Sequence, residues 1–163
     1  MELKCNPSGL RTQKKATENG VTTTTDYFLH GKLLTHMTVT KDNLNTDKEA
    51  VHFYYDAQSK PIMMRVGMEE ETAKYYTFVT NLQGDILGFL DRNQDLVVEY
   101  RYDPWGKLVD TICGTEYEDL AKLNPFRYRG YLFDDETQLY YLRNRYDNPE
   151  WARFINEDTP TLK

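Results

Sequence analysis

Asp91, Asn93 and Asp95 stand at alternate positions, the first three ligand spacings of a calcium-binding loop. The remainder of that loop fails: Leu96 occupies the place of the glycine and Tyr102 the place of the closing bidentate glutamate. The run therefore reads as a solvated turn. Asp134, Asp135 and Glu136 cluster carboxylates, the raw material of a glycosidase pair, but adjacent acids on one tight turn point apart and no second acid is assigned to them. His30, His36 and His52 are too scattered for a metal triad and read as surface or cross-strand histidines. Ser8 and Ser59, the only serines, both fall in turns and outside any nucleophile elbow. Cys113 has no histidine near it in sequence, and Cys5 and Cys113 are far apart without CxxC spacing, so they read as free thiols or as one bridge. Arg129-Gly130-Tyr131-Leu132-Phe133 partly matches an RNA-binding signature, with Leu132 where glycine or alanine is needed. Arg127, Arg129, Arg143, Arg145 and Arg153 concentrate positive charge, and nearby acids and the rings of Tyr128, Tyr131, Tyr140 and Tyr141 are their expected partners. The residues thus predict no enzyme, no metal and no cofactor.

The elements that would position these groups are strands. Leu96, Val98, Tyr100 and Tyr102 alternate with Val97, Glu99 and Arg101, the period of two of a half-buried strand. Similar runs occur over 21–29, 32–40, 49–55, 61–66, 73–80, 85–90, 131–133 and 139–142. Turn residues separate them, and Asn19-Gly20 signals a type I′ hairpin. Lys41–Lys48 is polar and reads as a long loop or hairpin tip. One segment departs: Thr115 and Glu118 have capping-box spacing, Tyr117, Leu120, Ala121 and Leu123 have helical spacing, and Asn124-Pro125 ends the run. The expectation is an all-β fold, a curved antiparallel sheet of repeated hairpins with one short helix near 115–123.

The recurring unit is clearest in EYRYDPWGKL, Glu99–Leu108, where aromatics end a strand, an Asp opens a turn and a second strand leaves. FYYDAQSKPI, CNPSGLRT and GYLFDDETQLYYL vary the same theme. Repetition of this kind points to an assembly of hairpins and away from a pocket built once for chemistry. The Asp of each unit is expected to bond backbone N–H groups in an Asx-turn.

Bulk properties agree. The chain has 163 residues with 13 Tyr, 7 Phe and 2 Trp, so rings supply core material that aliphatic residues do not. A net charge of −6 argues against nucleic acid or an anionic membrane as partner. No stretch reaches the roughly 20 apolar residues of a membrane span, and MELKCNPSG lacks a signal peptide's apolar centre, so the chain carries no address of its own: cytoplasmic as it stands, its location is set by what it belongs to.

TNLQGDILGFLD, EYRYDPWGKLVD and LNPFRYRGYLFDDETQLYYLRNRYDNPEWARFIN closely resemble YD-repeat, or Rhs (rearrangement hotspot), proteins, the last run their repeat-associated core region. Cys5–Leu29 resembles an ordinary upstream repeat. The resemblance implies a strand spiral that winds into a hollow shell, encloses a C-terminal toxin or other cargo, and in full-length members releases it by self-cleavage. Three departures stand out. No segment of the downstream self-cleavage type precedes Lys163; Gln138 and Ala152 replace glycines; and Asp147 and Asn148 replace Tyr and Asp. The chain is thus expected to be one domain over 1–163, with degenerate repeats over 1–76, a core-like region over 77–156 and a tail over 157–163. Its expected role is a non-catalytic scaffold, a terminal piece of such a shell, with a glycan- or cell-surface-binding module as the alternative. Turn formation and aromatic packing are expected of Tyr102, Asp103, Gly106, Asn124, Pro125, Phe126, Tyr128, Gly130, Tyr131, Tyr140, Tyr141, Arg145 and Phe154. Expected partners are other YD-repeat segments or a second copy through open strand edges, chiefly Leu10–Lys15 and Val21–Thr25, and a cargo segment or a surface glycan.

Overall fold

The computed structural model describes residues 1–42, 47–142 and 145–155. By contacts between backbone positions the chain forms two compact units, Met1–Tyr76 and Thr77–Lys163.

The first unit is an antiparallel meander. Strands β1 (Glu2–Cys5), β2 (Arg11–Glu18), β3 (Val21–His30), β4 (Leu33–Asp42), β5 (Asp47–Tyr55) and β6 (Pro61–Val66) pair in chain order. Asn19 and Gly20 both have positive φ, 50° and 79°, with Glu18 facing Val21, which is the type I′ geometry the dipeptide predicts. Alternation buries one side of each strand, so Tyr27, Met37, Val51, Phe53, Met64 and Val66 form the core while His36, His52 and Arg65 lie on the other face.

One expectation needs correction here. Leu10–Lys15 and Val21–Thr25 are not the open edge, because β1 covers β2 and β2 covers β3. The edge is β1 itself, exposed at all four residues, a strand too short and polar to show as a periodic run. Of the two readings of Lys41–Lys48, the hairpin tip is the one observed: Lys41 pairs Asp47 and Thr40 pairs Lys48 at the end of the β4–β5 hairpin, and 43–46 lie outside the described residues.

The second unit begins within β7 (Lys74–Thr80) and continues through β8 (Ile86–Leu90), β9 (Leu96–Tyr102) and β10 (Leu108–Cys113), again in chain order. A 3-10 turn, Thr115–Tyr117, leads into the α-helix α1 (Glu118–Leu123). The helix is where its spacing predicts, but the capping box does not form: no side chain caps either start, and Thr115 lies within the 3-10 turn. Asn124 ends α1 in extended backbone, as a residue before proline must. A second, four-stranded antiparallel sheet follows, β11 (Leu132–Asp134), β12 (Leu139–Tyr141), β13 (Tyr146–Asn148) and β14 (Arg153–Phe154). The all-β class with one short helix is therefore the observed one.

Candidate functional site

Five hairpins close on the same turn. Asn6, Asp56, Asn81, Asp91 and Asp103 each accept, on one side-chain oxygen, the backbone N–H groups two and four residues ahead, at 2.8 to 3.0 Å. At each, the residue's own N–H donates to the carbonyl four residues on, and its carbonyl accepts from the N–H three residues on. That third residue takes positive φ in every case: Gly9, Ser59, Gly84, Gln94 and Gly106. An Asn or Asp is required because its oxygen satisfies two N–H groups that the hairpin bend leaves without ladder partners. The Asx-turn expected of the repeat is thus present in CNPSGLRT, FYYDAQSKPI and EYRYDPWGKL, and it absorbs the calcium-like run, since Asp91 Oδ1 is bonded by the N–H groups of Asn93 and Asp95.

The residues singled out by motif gather chiefly around one loop, Asn124–Tyr131. Asn124 is fully buried; its amide donates to the Phe126 carbonyl at 2.9 Å and its oxygen accepts from the Phe126 N–H at 3.1 Å. The Pro125 carbonyl accepts from the Phe133 N–H, and the Tyr131 carbonyl from the Arg127 N–H, tying the loop to β11. Phe126 packs edge-on against Phe78 of β7 at 6.4 Å. Gly130, at φ 68°, completes the turn whose Arg129 also has positive φ.

Buried phenols staple this loop region to the surrounding backbone. Tyr100 donates to the Ala121 carbonyl at 2.7 Å, Tyr102 to Ile86 at 2.8 Å, Tyr140 to Gly106 at 2.7 Å, and the more exposed Tyr128 to Pro104 at 3.2 Å. Burial pushes the Tyr100, Tyr102 and Tyr140 hydroxyls well above the ordinary tyrosine range, so each stays a neutral donor. Tyr128 lies between Tyr102 and Tyr140, with ring centroids at 6.0 and 6.2 Å. Tyr141, Arg145 and Phe154 form a separate group on the closing hairpins: Tyr141 packs on Tyr146 at 5.5 Å, and the Arg145 guanidinium lies over Phe154 at 5.0 Å.

Two residues at the centre were not singled out as sites by the motif reading. Arg127 is only 2% exposed; its guanidinium donates to the carbonyls of Ala121, Asn124 and Phe126 and sits 4.2 Å from the Tyr100 ring centroid. Asp85, also buried, accepts from the Arg129 N–H at 2.8 Å and from the Asn81 amide at 2.6 Å. The Arg127–Tyr100 and Asp85–Arg129 pairings join residues brought near only by folding. Arg129 lies over Tyr128 as expected; Arg127 lies over Tyr100, Arg145 over Phe154 and Arg153 over Trp151, while Arg143 lies outside the described residues.

Among the described residues no three His, Cys, Asp or Glu side chains are grouped to hold a metal. Cys5 and Cys113 are free thiols, and burial with nearby Glu118 and Glu116 pushes the Cys113 thiol up, away from a reactive thiolate. Trp105 and Trp151 are 65% and 60% exposed, but neither indole stacks on another ring among the described residues, and Arg153 lies over Trp151. No helix among the described residues is long and apolar enough to cross a membrane.

Residues 12–163 match the family model described as the Teneurin YD-shell. The chain belongs to the Teneurin YD-shell family. A tRNA3(Ser)-specific nuclease WapA of Bacillus spizizenii is 32% identical over 155 residues, covering 95% of this chain and 6% of that protein. Teneurin-m of Drosophila melanogaster is 26% identical over 139 residues, 85% of this chain and 5% of that protein. Among solved structures, the crystal structure of TcdB2-TccC3-TEV superposes with a TM-score of 0.76 at 21% identity, covering 96% of this chain and 8% of that one. The Tc holotoxin pore of Photorhabdus luminescens gives the same TM-score and identity over 96% of this chain and 7% of that one. The YD-shell chain thus spans less than a tenth of these larger relatives.

Ala152 and Gln138 now have a physical meaning within the family. Both stand at positive φ, 49° and 58°, where the resemblance places glycine. Gln138 recovers part of the strain through its side-chain bond to the Asp135 carbonyl at 2.8 Å, and Ala152 has no side chain with which to do so. Ala152→Gly is expected to stabilise the chain by about 0.5–1 kcal/mol and Gln138→Gly by less, read as urea midpoints at constant slope.

Proposed function

We propose that the chain is a non-catalytic segment of a YD shell, supplying wall hairpins and a docked core loop that help to enclose a toxin or other cargo polypeptide. The observation that carries this reading is the destination of its polar groups. The repeated Asp and Asn side chains bond their own turns, and the buried tyrosines and Arg127 bond backbone carbonyls. Groups so committed hold a wall together and are not presented to a substrate. The WapA and TcdB2-TccC3 relatives support the toxin setting, and β1 and β10, each at an end of the strand order among the described residues, offer pairing sites for further strands of a shell or a second copy.

Two measurements test it. The purified chain, incubated with tRNA, is expected to leave both the RNA and its own intact mass unchanged; tRNA cleavage, or an internal cut abolished by changing one Asp, overturns the non-catalytic assignment. In the gene product that carries the chain, trypsin is expected to spare a cargo segment until the wall is opened by denaturant. A cargo digested as fast in the native protein as in the unfolded one overturns enclosure.

A further inference from the structure

The face of the first unit opposite its core carries a row of four side chains in direct cross-strand register. Phe28 of β3 faces His36 of β4, His36 faces His52 of β5, and His52 faces Arg65 of β6. The rings are stacked: Phe28 and His36 lie 4.2 Å apart at 6°, and His36 and His52 lie 5.0 Å apart at 16°. Arg65 ends the row with its Nε buried and without a hydrogen-bond partner. Three of the four residues are half-buried, so their charges are only partly screened.

Strand alternation shows what else faces the row. On β3 the neighbours are Asp26 and the exposed His30; on β5 they are Tyr54 and, beyond Ala50, Lys48; on β2 it is Lys15, opposite Thr24. Asp26 is the carboxylate among them, and its Oδ1 is already engaged by the Gln13 amide at 2.6 Å. No ion pair to Arg65 exists among the described residues. With neutral imidazoles the row is a stack of planar groups ending in one cation. With both imidazoles charged it becomes three cations on adjacent strands, spaced at the roughly 4.8 Å of a sheet.

We propose that the Phe28–His36–His52–Arg65 row is an acid-responsive weak point: protonation of His36 and His52 beside Arg65 sets three like charges across β4, β5 and β6 and loosens the meander. The inference is independent of any cargo. Burial, then Arg65, then His36 hold the His52 imidazole below its ordinary range, which agrees in direction. The unfolded chain therefore takes up its proton first, near pH 6.5. Stability from this group is complete above that pH and is lost as pH falls below it toward the folded-state value.

The test compares urea unfolding of the full chain at pH 7.5 and 5.5 with that of His52→Gln and of the double variant His36→Gln/His52→Gln. The wild-type unfolding constant is expected to rise about five- to tenfold more than that of the double variant over this interval, with His52→Gln between them. Parallel pH profiles overturn the proposal. Because either variant can alter packing, the wild-type ring protons are also followed by NMR. His52 is expected to titrate below pH 6.5, and Arg65→Gln to move its midpoint upward. A His52 midpoint at or above 6.5, or one that Arg65→Gln leaves unmoved, overturns it equally.

Discussion

Replacing Arg127 by methionine is expected to cost the second unit about 2–4 kcal/mol, a large part of the 5–15 kcal/mol that holds a typical domain folded. The guanidinium is the shared donor for the end of α1 and the loop after it, reaching the Ala121 carbonyl at 2.6 Å and the Phe126 carbonyl at 3.1 Å as well as Asn124. These carbonyls are at or just past the C-terminus of α1, where partial negative charge accumulates, which is how a cation is held there by carbonyl oxygens and the Tyr100 ring. Methionine matches the stem's volume but takes the guanidinium donor from the buried Asn124 carbonyl, while the Ala121 carbonyl keeps the Tyr100 hydroxyl. Arg127→Lys keeps the charge but not the planar fork, so an intermediate loss is expected. Denaturant midpoints measure both, and a loss under about 1 kcal/mol for Arg127→Met would show that the loop is held by packing alone.

Gly106→Ala is expected to cost about 2–4 kcal/mol, from two sources that a control separates. The residue has φ 90°, and a Cβ built on it would lie 2.4 Å from Cδ1 and 2.6 Å from Cγ of Tyr128. That ring cannot simply withdraw, because its hydroxyl is bonded to the Pro104 carbonyl and it lies between Tyr102 and Tyr140. Moving the turn instead disturbs the Gly106 carbonyl that accepts from Tyr140. Gly84 stands at the same position of its own turn, at φ 89°, with nothing within 4 Å of a built Cβ. Gly84→Ala therefore carries only the backbone strain, about 1–2 kcal/mol. Equal losses at the two sites would mean that the Tyr128 contact contributes nothing.

What could be read from the residues alone was whatever is decided within four or five residues along the chain. The Asp103 turn is closed by its own N–H partners at positions two and four ahead, so Tyr-Asp punctuation was enough to predict it, and the same held for Asn19-Gly20. The strands followed from alternation, and the helix from its spacing and from the proline that stops it. Short polar strands such as β1 and β13 offer no such period and were missed. The Thr115 cap was misplaced because Thr115–Tyr117 form a 3-10 turn ahead of α1, which begins at Glu118 without a side-chain cap. Only the tertiary structure decided that Arg127 lies on Tyr100, that Tyr140 bonds Gly106 across 34 residues, and that Phe28, His36, His52 and Arg65 fall in one row. The reason is geometric: a buried donor takes whichever acceptor the strand register brings within 3 Å, and that register is a property of whole strands, which no local run of residues encodes.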